Sequence, residues 1–330
     1  MRVCTRRLTV SLKRFVFGIC LALFLFTVVS GAAGSFRGFV NKEFRSGDAK
    51  FFGDRIVTSK DGSLCLLDFF GKITNHYTDV PSAWVDGLFD DKIIVLGNWN
   101  NEINIVQLDE KMNRIQEYNV LQSDNLHIDP AICKIENDYY VTTTEIIGNV
   151  NNSSPDVENG IYTVHFLRSN NLKDWEPISE IISVPSNIED VDLLYHEGRI
   201  YVCYEKEVLD KGLSEINFKY SDDLGASWSE EINLLPAECD QEPVSFIPEE
   251  NGFKLLYSSD KENPGMSYMG GCIYYARFDK DYRMIEKDIK LETKTKEGLL
   301  WYDYAEYNDG DYYLFAGDYL DTNDLILEIK

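Results

Sequence analysis

The sequence is poor in histidine, cysteine and positive charge, and each scarcity excludes a class of protein. It has 4 histidines and 7 cysteines, with no Cys-x-x-Cys pair and no Cys/His cluster, so it carries no zinc signature. Cys4 and Cys20 precede residue 35, and the other cysteines are widely spaced, which allows one disulfide but excludes a disulfide-built scaffold. Cys133 and Cys203 fall in apolar strand patterns and are predicted to be buried thiols.

The shortage of positive charge excludes a second group of partners. The chain has 32 basic and 56 acidic residues, which gives a formal charge of −24. A surface this acidic repels phosphate backbones and anionic lipid, so we expect no nucleic-acid partner and no binding to a membrane surface. The acidity is interpreted as the solubility device of an exported protein.

The first 34 residues do not belong to the fold. Five basic residues before position 15 are followed by an uncharged apolar run over residues 15–29 and by small residues at 30–33. This pattern predicts a signal peptide over residues 1–34. A signal anchor is the alternative, because the uncharged stretch reaches 20 residues and can span a bilayer. We therefore expect an exported protein (secreted, periplasmic or at the cell surface) with one domain over residues 35–330, touching a membrane only through an uncleaved leader.

Helical periodicity is nearly absent after the leader. Short runs rich in Val, Ile, Tyr and Phe alternate with Gly, Asp and Asn, a pattern typical of many short strands. Four segments share one order: a carboxylate, an apolar strand, a tight turn and a second apolar strand. They begin at Asp129, Asp190, Glu242 and Asp303, and weaker copies begin near Asp48 and Trp84.

The spacing of these copies predicts the architecture. Successive starts are 36 to 61 residues apart, which suits the four-stranded blade of a β-propeller. The count favours six blades, with five as the alternative if the short first copy is not a full blade. Because the last repeat has room for three strands only, residues 36–44 are expected to supply the fourth and close the ring. We expect an all-β, monomeric propeller.

A motif in the predicted outer strands also indicates a β-propeller. The segment from Tyr220 to Trp228 matches the S-x-D-x-G-x-[ST]-W pattern of the Asp box, so the sequence resembles the sialidase-like and glycosidase propellers. The pattern suits a turn in which Asp223 accepts backbone N–H groups, Gly225 takes positive φ and Trp228 packs between blades. We interpret the motif as structural.

The carboxylates at the heads of the inner strands are the candidate catalytic residues. In a propeller such positions point into the central funnel, and they hold Asp129, Asp190 and Glu242, with Glu189 beside Asp190. Like charges raise one another's pKa, and glycoside hydrolysis requires one protonated and one ionised carboxyl group. The alternative is that each carboxylate caps a turn or binds a central cation; a Ca²⁺ ion is compatible with the set, although no motif supports one.

A family resemblance sharpens this hypothesis. The run from His127 to Pro130, followed by Tyr139 and Tyr140, looks like the Asp-Pro strand start of the arabinanase and xylosidase propellers of glycoside hydrolase family forty-three. The resemblance implies a base Asp, a pKa-tuning Asp, an acid Glu and no organic cofactor. Two assignments of the base, the pKa-tuning residue and the acid fit the sequence, and we call them registers. In the first register these roles fall, in that order, to Asp129, Asp190 and Glu242. In the second register they fall to Asp48, Asp129 and Glu189.

Two further classes stay open beside a glycosidase that cleaves a neutral oligo- or polysaccharide. A sialidase-like enzyme would use Tyr302 as nucleophile and an arginine triad. A non-catalytic propeller would bind glycan or protein through its aromatic side chains. The candidate arginines are Arg37, Arg199 and Arg277, and the candidate aromatic platforms are Trp84, Trp99 and Trp301.

Overall fold

The chain folds almost entirely into antiparallel β-sheet. The computed structural model describes residues 35–37, 48–60, 63–68, 73–148, 160–208, 212–291, 299–308, 311–318 and 323–329. The leader lies outside these ranges. One short 3₁₀ helix occurs at Ser267–Gly270, and no helix among the described residues is long and apolar enough to cross a bilayer.

Five sheets are each built from four consecutive strands, and we call them blades 1 to 5 in chain order. After β1 (Ser35–Arg37), blade 1 contains β2 (Ala49–Phe52), β3 (Arg55–Lys60), β4 (Ser63–Asp68) and β5 (Ile73–Pro81). Blade 2 contains β6 (Trp84–Leu88), β7 (Ile93–Asn98), β8 (Glu102–Leu108) and β9 (Arg114–Gln122). Blade 3 contains β10 (Leu126–Ile135), β11 (Asp138–Ile147), β12 (Ile161–Ser169) and β13 (Glu176–Val184). Blade 4 contains β14 (Ile188–His196), β15 (Arg199–Val208), β16 (Leu213–Ser221) and β17 (Ile232–Leu235). Blade 5 contains β18 (Gln241–Glu249), β19 (Gly252–Ser259), β20 (Cys272–Asp279) and β21 (Met284–Lys290).

A sixth four-stranded sheet joins the two ends of the chain. It contains β22 (Leu299–Asn308), β23 (Asp311–Asp318) and β24 (Asn323–Ile329), and β1 is its outermost strand, antiparallel to β24. The inner strand β22 contacts both β18 and β2, so the inner strands follow one another around a closed ring. The predicted all-β propeller of four-stranded blades is confirmed, and the expected strand from the N-terminal segment is supplied by Ser35–Arg37.

The core lies between adjacent blades because strands such as β7 and β15 bury both of their faces, whereas the outermost strands β9 and β21 are largely exposed. In β15, Ile200, Val202 and Tyr204 pack with blade 3, whereas Tyr201 and Cys203 pack with blade 5. Each fully buried apolar side chain of this kind stabilises the fold by about 1.5–3 kcal/mol. Cys203 is a buried thiol, as is Cys133 in blade 3, which confirms the sequence prediction for both.

The turn after β16 has the geometry expected from its sequence. Asp223 accepts the backbone N–H of Ser227 at 2.9 Å and its hydroxyl at 2.6 Å. Gly225 has φ of +88°, and a Cβ there would lie 2.1 Å from the ring of Phe166 in blade 3. Trp228 packs edge-on against the same ring and donates its indole N–H to Ser179 Oγ at 2.9 Å. The turn therefore fastens blade 4 onto blade 3 at the outer strands.

Carboxylates near the axis tie each blade to the next. One oxygen of an aspartate accepts a backbone N–H from the inner strand of the following blade. The pairs are Asp48 with Val85 at 2.7 Å, Asp86 with Ile132 at 2.7 Å, Asp129 with Asp190 at 2.9 Å and Asp192 with Phe246 at 3.0 Å. These bonds fix the angular spacing of blades 1 to 5, because each joins two inner strands directly.

This arrangement predicts unequal effects for two aspartates that both join blade 2 to blade 3. Asp86→Ala leaves the buried N–H of Ile132 without its acceptor, and we expect a loss of about 1–3 kcal/mol in the free energy of unfolding. Asp91→Ala removes a surface ion pair with Lys134, and we expect a loss below about 1 kcal/mol. Urea unfolding of both variants measures the difference; equal losses would contradict the structural role of Asp86.

Candidate active site

Bulges at the heads of three inner strands carry the predicted catalytic carboxylates. The ladder register shifts between Ile128 and Ala131 in β10, between Glu189 and Asp192 in β14, and between Gln241 and Val244 in β18. The residues inside these shifts include Asp129, Asp190 and Glu242, one from each of blades 3, 4 and 5. A bulge re-aims a side chain that regular pairing would send into a blade interface. The three sequence repeats thus mark structurally equivalent positions.

The local sequence suits these bulges. Asp129 and Asp190 have φ of 47° and 52°, a conformation that Asp tolerates better than most residues. Pro130 and Pro243 follow two of the three carboxylates. Proline has no backbone N–H, and its presence costs no ladder hydrogen bond at a bulge, where the ladder is already interrupted. Backbone strain of this kind clusters at functional sites and supports the choice of these positions.

Three carboxyl groups from blades 4 and 5 meet within a few ångströms. Oxygen atoms of Asp190, Glu205 and Glu242 all lie within 4.8 Å of one another. Glu205 comes from β15 and is fully buried, and no hydrogen-bond donor among the described residues reaches either of its oxygens. We call Asp190, Glu205 and Glu242 the carboxyl cluster. Asp129 joins it through the bond from the Asp190 N–H to its Oδ2 atom.

Burial shifts the protonation of every one of these groups. Removal from water raises the pKa of Asp129 to about 7 and that of Asp48 to about 6. Burial, and then the charge of Asp129, raises the pKa of Asp190 well above its ordinary range. Burial also raises the pKa of Glu242, helped by the charges of Asp240 and Asp190. The site therefore combines Asp190 and Glu242, whose pKa values are raised well above their ordinary range, with Asp129, whose pKa is raised to about 7.

The positive charge of Lys50 opposes this rise in the pKa values. The ammonium group of Lys50 in β2 lies 3.8 Å from Asp86 Oδ1, and its charge lowers the pKa values of Asp48, Asp129, Asp190 and Asp192 against the effect of burial. The charge of Lys50 therefore favours the ionised form of these four carboxyl groups and opposes the effect of burial.

Two members of the second sequence register lie in different surroundings. Asp48 already uses both oxygens, which accept the N–H groups of Ala49 at 2.8 Å and Val85 at 2.7 Å. Glu189 is the cross-strand partner of Glu205, and its Oε1 accepts a bond from the Asn187 side chain at 3.4 Å. The structure brings together Asp129, Asp190 and Glu242, the members of the first register, with Glu205 as an addition.

The alternative site residues lie elsewhere or outside the described side chains. Arg199 forms a two-pronged ion pair with Asp222, and Arg277 pairs with Glu249. Arg199 lines a cavity of about 530 Å³ near the turns that follow the inner strands of blades 4 and 5, at the end opposite the carboxyl cluster. Both of these arginines are therefore engaged in ion pairs with acidic side chains. The side chains of Arg37, Trp301, Tyr302 and Asp303 lie outside the described residues.

Two tryptophans lie beside the acidic site. Trp84, at the head of β6, and Trp99, in the turn after β7, have ring centroids 4.9 Å apart. Trp99 is 37% exposed. Both Trp84 and Pro130 approach Gly97 closely, where an added Cβ would lie 3.3 Å from each. The pair thus adjoins the strand head that carries Asp129, where a flat sugar face can stack.

The carboxyl cluster also has the donor set of a hard divalent cation. Three carboxylates supply oxygen ligands of the kind that Ca²⁺ prefers, although it takes six to eight in all. The same three groups can instead share protons. Either solution removes the uncompensated negative charge that burial makes costly.

Comparison with known proteins places the fold. No protein-family model and no curated sequence matches the chain. The β-1,2-mannobiose phosphorylase of Listeria innocua is 12% identical, with a TM-score of 0.50 over 92% of each chain. An arabinanase of Bacillus subtilis is 11% identical, with a TM-score of 0.47 over 88% of this chain and 95% of that one. An exo-1,5-α-L-arabinanase from a bovine ruminal metagenomic library is also 11% identical, with a TM-score of 0.47 over 86% and 92%.

Identities this low show similarity of fold alone, and the first structure matches this chain over nearly its whole length. The chain has the β-propeller fold of this phosphorylase, so the fold implied by the sequence resemblance is confirmed. What such a fold does depends on the residues grafted onto it.

Sequence reasoning missed Glu205 and Lys50. Glu205 ends an otherwise apolar run in β15 and shares a face with Tyr201 and Cys203, so a charged residue in a buried strand was the available signal. Lys50 follows Asp48 by two residues in β2 and so shares its face. Neither residue belongs to the repeated strand-head pattern.

The raised pKa of Asp129 predicts how stability changes with pH. A carboxyl group whose pKa is higher in the folded state stabilises the fold at low pH, and this contribution is lost as pH rises from about 4 to about 7. Asp129→Asn keeps an acceptor for the Asp190 N–H and cannot ionise. At pH 8 we expect the free energy of unfolding of the variant to exceed that of the wild type by about 1–3 kcal/mol. Near pH 4 we expect the two free energies to be equal.

Asp223→Asn provides a control of opposite sign. The side chain and backbone N–H of Ser227 hold the pKa of Asp223 below its usual range, so its contribution is present above the ordinary pKa and lost on acidification. This variant is expected to be less stable than the wild type at pH 8. Denaturant unfolding at both pH values measures the two effects, and parallel pH profiles for Asp129→Asn and the wild type would contradict the assigned shift.

Proposed function

We propose that the protein is a glycoside hydrolase that cleaves a neutral oligo- or polysaccharide. The observation that carries the proposal is the meeting of Asp129, Asp190 and Glu242 from three successive blades, with protonation states driven apart by burial and mutual charge. Pairs of carboxyl groups held in different protonation states are what acid–base cleavage of a glycosidic bond requires. The fold supports action on a glycosidic bond, since the compared propeller with a TM-score of 0.50 is named as a phosphorylase of β-1,2-mannobiose.

The roles follow from the pKa order. Asp129, which ionises near neutral pH, removes a proton from the water that attacks the anomeric carbon. Glu242, which stays protonated, gives its proton to the glycosidic oxygen as the bond from carbon to that oxygen breaks. Asp190 lies between the two, and its backbone N–H donates to the carboxylate of Asp129. The proton count balances, because one is taken from water and one is given to the leaving group.

Charge argues for a neutral substrate and for water as the acceptor. An acidic funnel repels uronic acids, sialic acids and inorganic phosphate, so we favour hydrolysis over transfer to phosphate. The chain's formal charge of −24 acts in the same direction. Trp84 and Trp99 supply an aromatic surface beside Asp129 for a sugar ring. We further propose that the protein is exported by its leader, acts as a monomer, and uses the turn at Ser221 to Trp228 as a structural Asp box.

The test is a screen of neutral saccharides, including β-1,2-linked mannobiose and arabinan, by chromatography of the products. For the saccharide that the wild type cleaves, Asp129→Asn is expected to lower kcat by about 10²–10⁴-fold, the usual contribution of a general base. The pH profile should be bell-shaped, rising as Asp129 ionises near pH 7 and falling as Glu242 loses its proton.

Asp91→Asn is the matched control, because Asp91 makes a surface ion pair at the far end of β6 and β7. It should retain full activity. Saccharide binding without cleavage would support a non-catalytic propeller instead, and cleavage that survives Asp129→Asn would contradict the assignment of the base.

A further inference from the structure

Glu205 is the member of the carboxyl cluster that the proposed reaction does not use. It lies in the second strand of blade 4, opposite the head of the inner strand β14, and is fully buried. Tyr201 and Cys203 on the same strand pack with blade 5, so the alternation along β15 turns Glu205 toward blade 5 and Glu242. Its neighbour Lys206 lies on the opposite face, where it pairs with Glu231 at 3.0 Å.

The groups that face Glu205 are all acidic. From its own blade these are Asp190, Glu207 and the cross-strand partner Glu189, and from blade 5 it is Glu242, which in turn is acted on by the charge of Asp240. Neither oxygen of Glu205 receives a hydrogen bond from a donor among the described residues. An ionised carboxylate in this place would be both desolvated and surrounded by like charge, which is the costliest arrangement for a buried group.

A proton resolves the conflict. Carboxyl oxygens of Glu205 and Glu242 lie within 4.8 Å of each other, and the two groups form a side-chain hydrogen bond when one of them carries a proton. Their interaction then changes from repulsion to a charge-assisted hydrogen bond. Resting on the proposed function, we infer that Glu205 is a positioning residue that shares a proton with Glu242 and so keeps the acid side of the site loaded for donation to the glycosidic oxygen.

The first test compares Glu205→Gln with Glu215→Gln. Glu215 is a half-buried glutamate of the neighbouring strand β16, and it accepts a bond from the Asn217 side chain at 3.3 Å. The amide of Glu205→Gln donates to Glu242 and removes a negative neighbour, so the ionised form of Glu242 is favoured. The basic limb of the pH profile of kcat/KM should move to lower pH by roughly one unit or more, whereas Glu215→Gln should leave it in place. A purely structural role would lower activity without moving this limb.

A second test needs no activity. Infrared absorption of the carboxylic acid C=O stretch at neutral pH reports buried protonated carboxyl groups directly, in the wild type and in both variants. We expect the band in the wild type and in Glu215→Gln, and a loss of intensity in Glu205→Gln. Absence of the band from the wild type, or an unchanged band in folded Glu205→Gln, would overturn the inference.

Calcium chloride is the probe for the competing solution. A saturable rise in the melting temperature with calcium, lost in Glu205→Gln and kept in Glu215→Gln, would overturn the inference and make the carboxyl cluster a cation site. If Glu205→Gln does not fold, the wild-type infrared spectrum and calcium titration still decide between proton and cation. If the infrared bands behave as expected but the protein cleaves no saccharide, the proposed function is contradicted. The inference that Glu205 and Glu242 share a proton is then still supported.

Discussion

A carboxylate oxygen that accepts a backbone N–H from the next inner strand recurs around the axis of this propeller, and the rest of the structure depends on it. Asp48, Asp86, Asp129 and Asp192 each make such a bond, and together they link blades 1 to 5 in order. Hydrophobic contact between blades is stronger in total but does not fix direction. The hydrogen bonds do, because each joins one defined atom of one inner strand to one of the next.

The same device creates the chemistry of the site. Building the axis from carboxylates gathers negative charge where water is scarce, and burial then raises their pKa values. Both carboxylate oxygens of Asp48 accept hydrogen bonds from backbone N–H groups. Asp129 sits in a bulge and holds Asp190 by its N–H, so its bond between blades also belongs to the proposed reaction. The ammonium group of Lys50, in blade 1, reduces the repulsion among these carboxylates.

The sequence predicts the fold well because the repeats are local. Each strand head, apolar run and tight turn lies within a short segment, so the equivalence of Asp129, Asp190 and Glu242 is visible in the order of residues alone. The choice between two registers is not local, since it depends on which oxygens are already bonded across blades. The bonds from Ala49 and Val85 to Asp48 and the position of Glu189 opposite Glu205 distinguish the registers only in three dimensions. Glu205 and Lys50 escape the repeat pattern altogether because they act across blade interfaces.

The central claim is that neighbouring blades hold carboxyl groups in different protonation states at one site. Carbon-13 NMR titration of labelled aspartate and glutamate side chains tests it directly, with Asp129→Asn and Glu242→Gln assigning two of the signals. The account predicts that the Asp129 signal titrates near pH 7 and that the Glu242 signal remains protonated beyond it. Titration of both signals near pH 4, the range of exposed carboxyl groups, would contradict it.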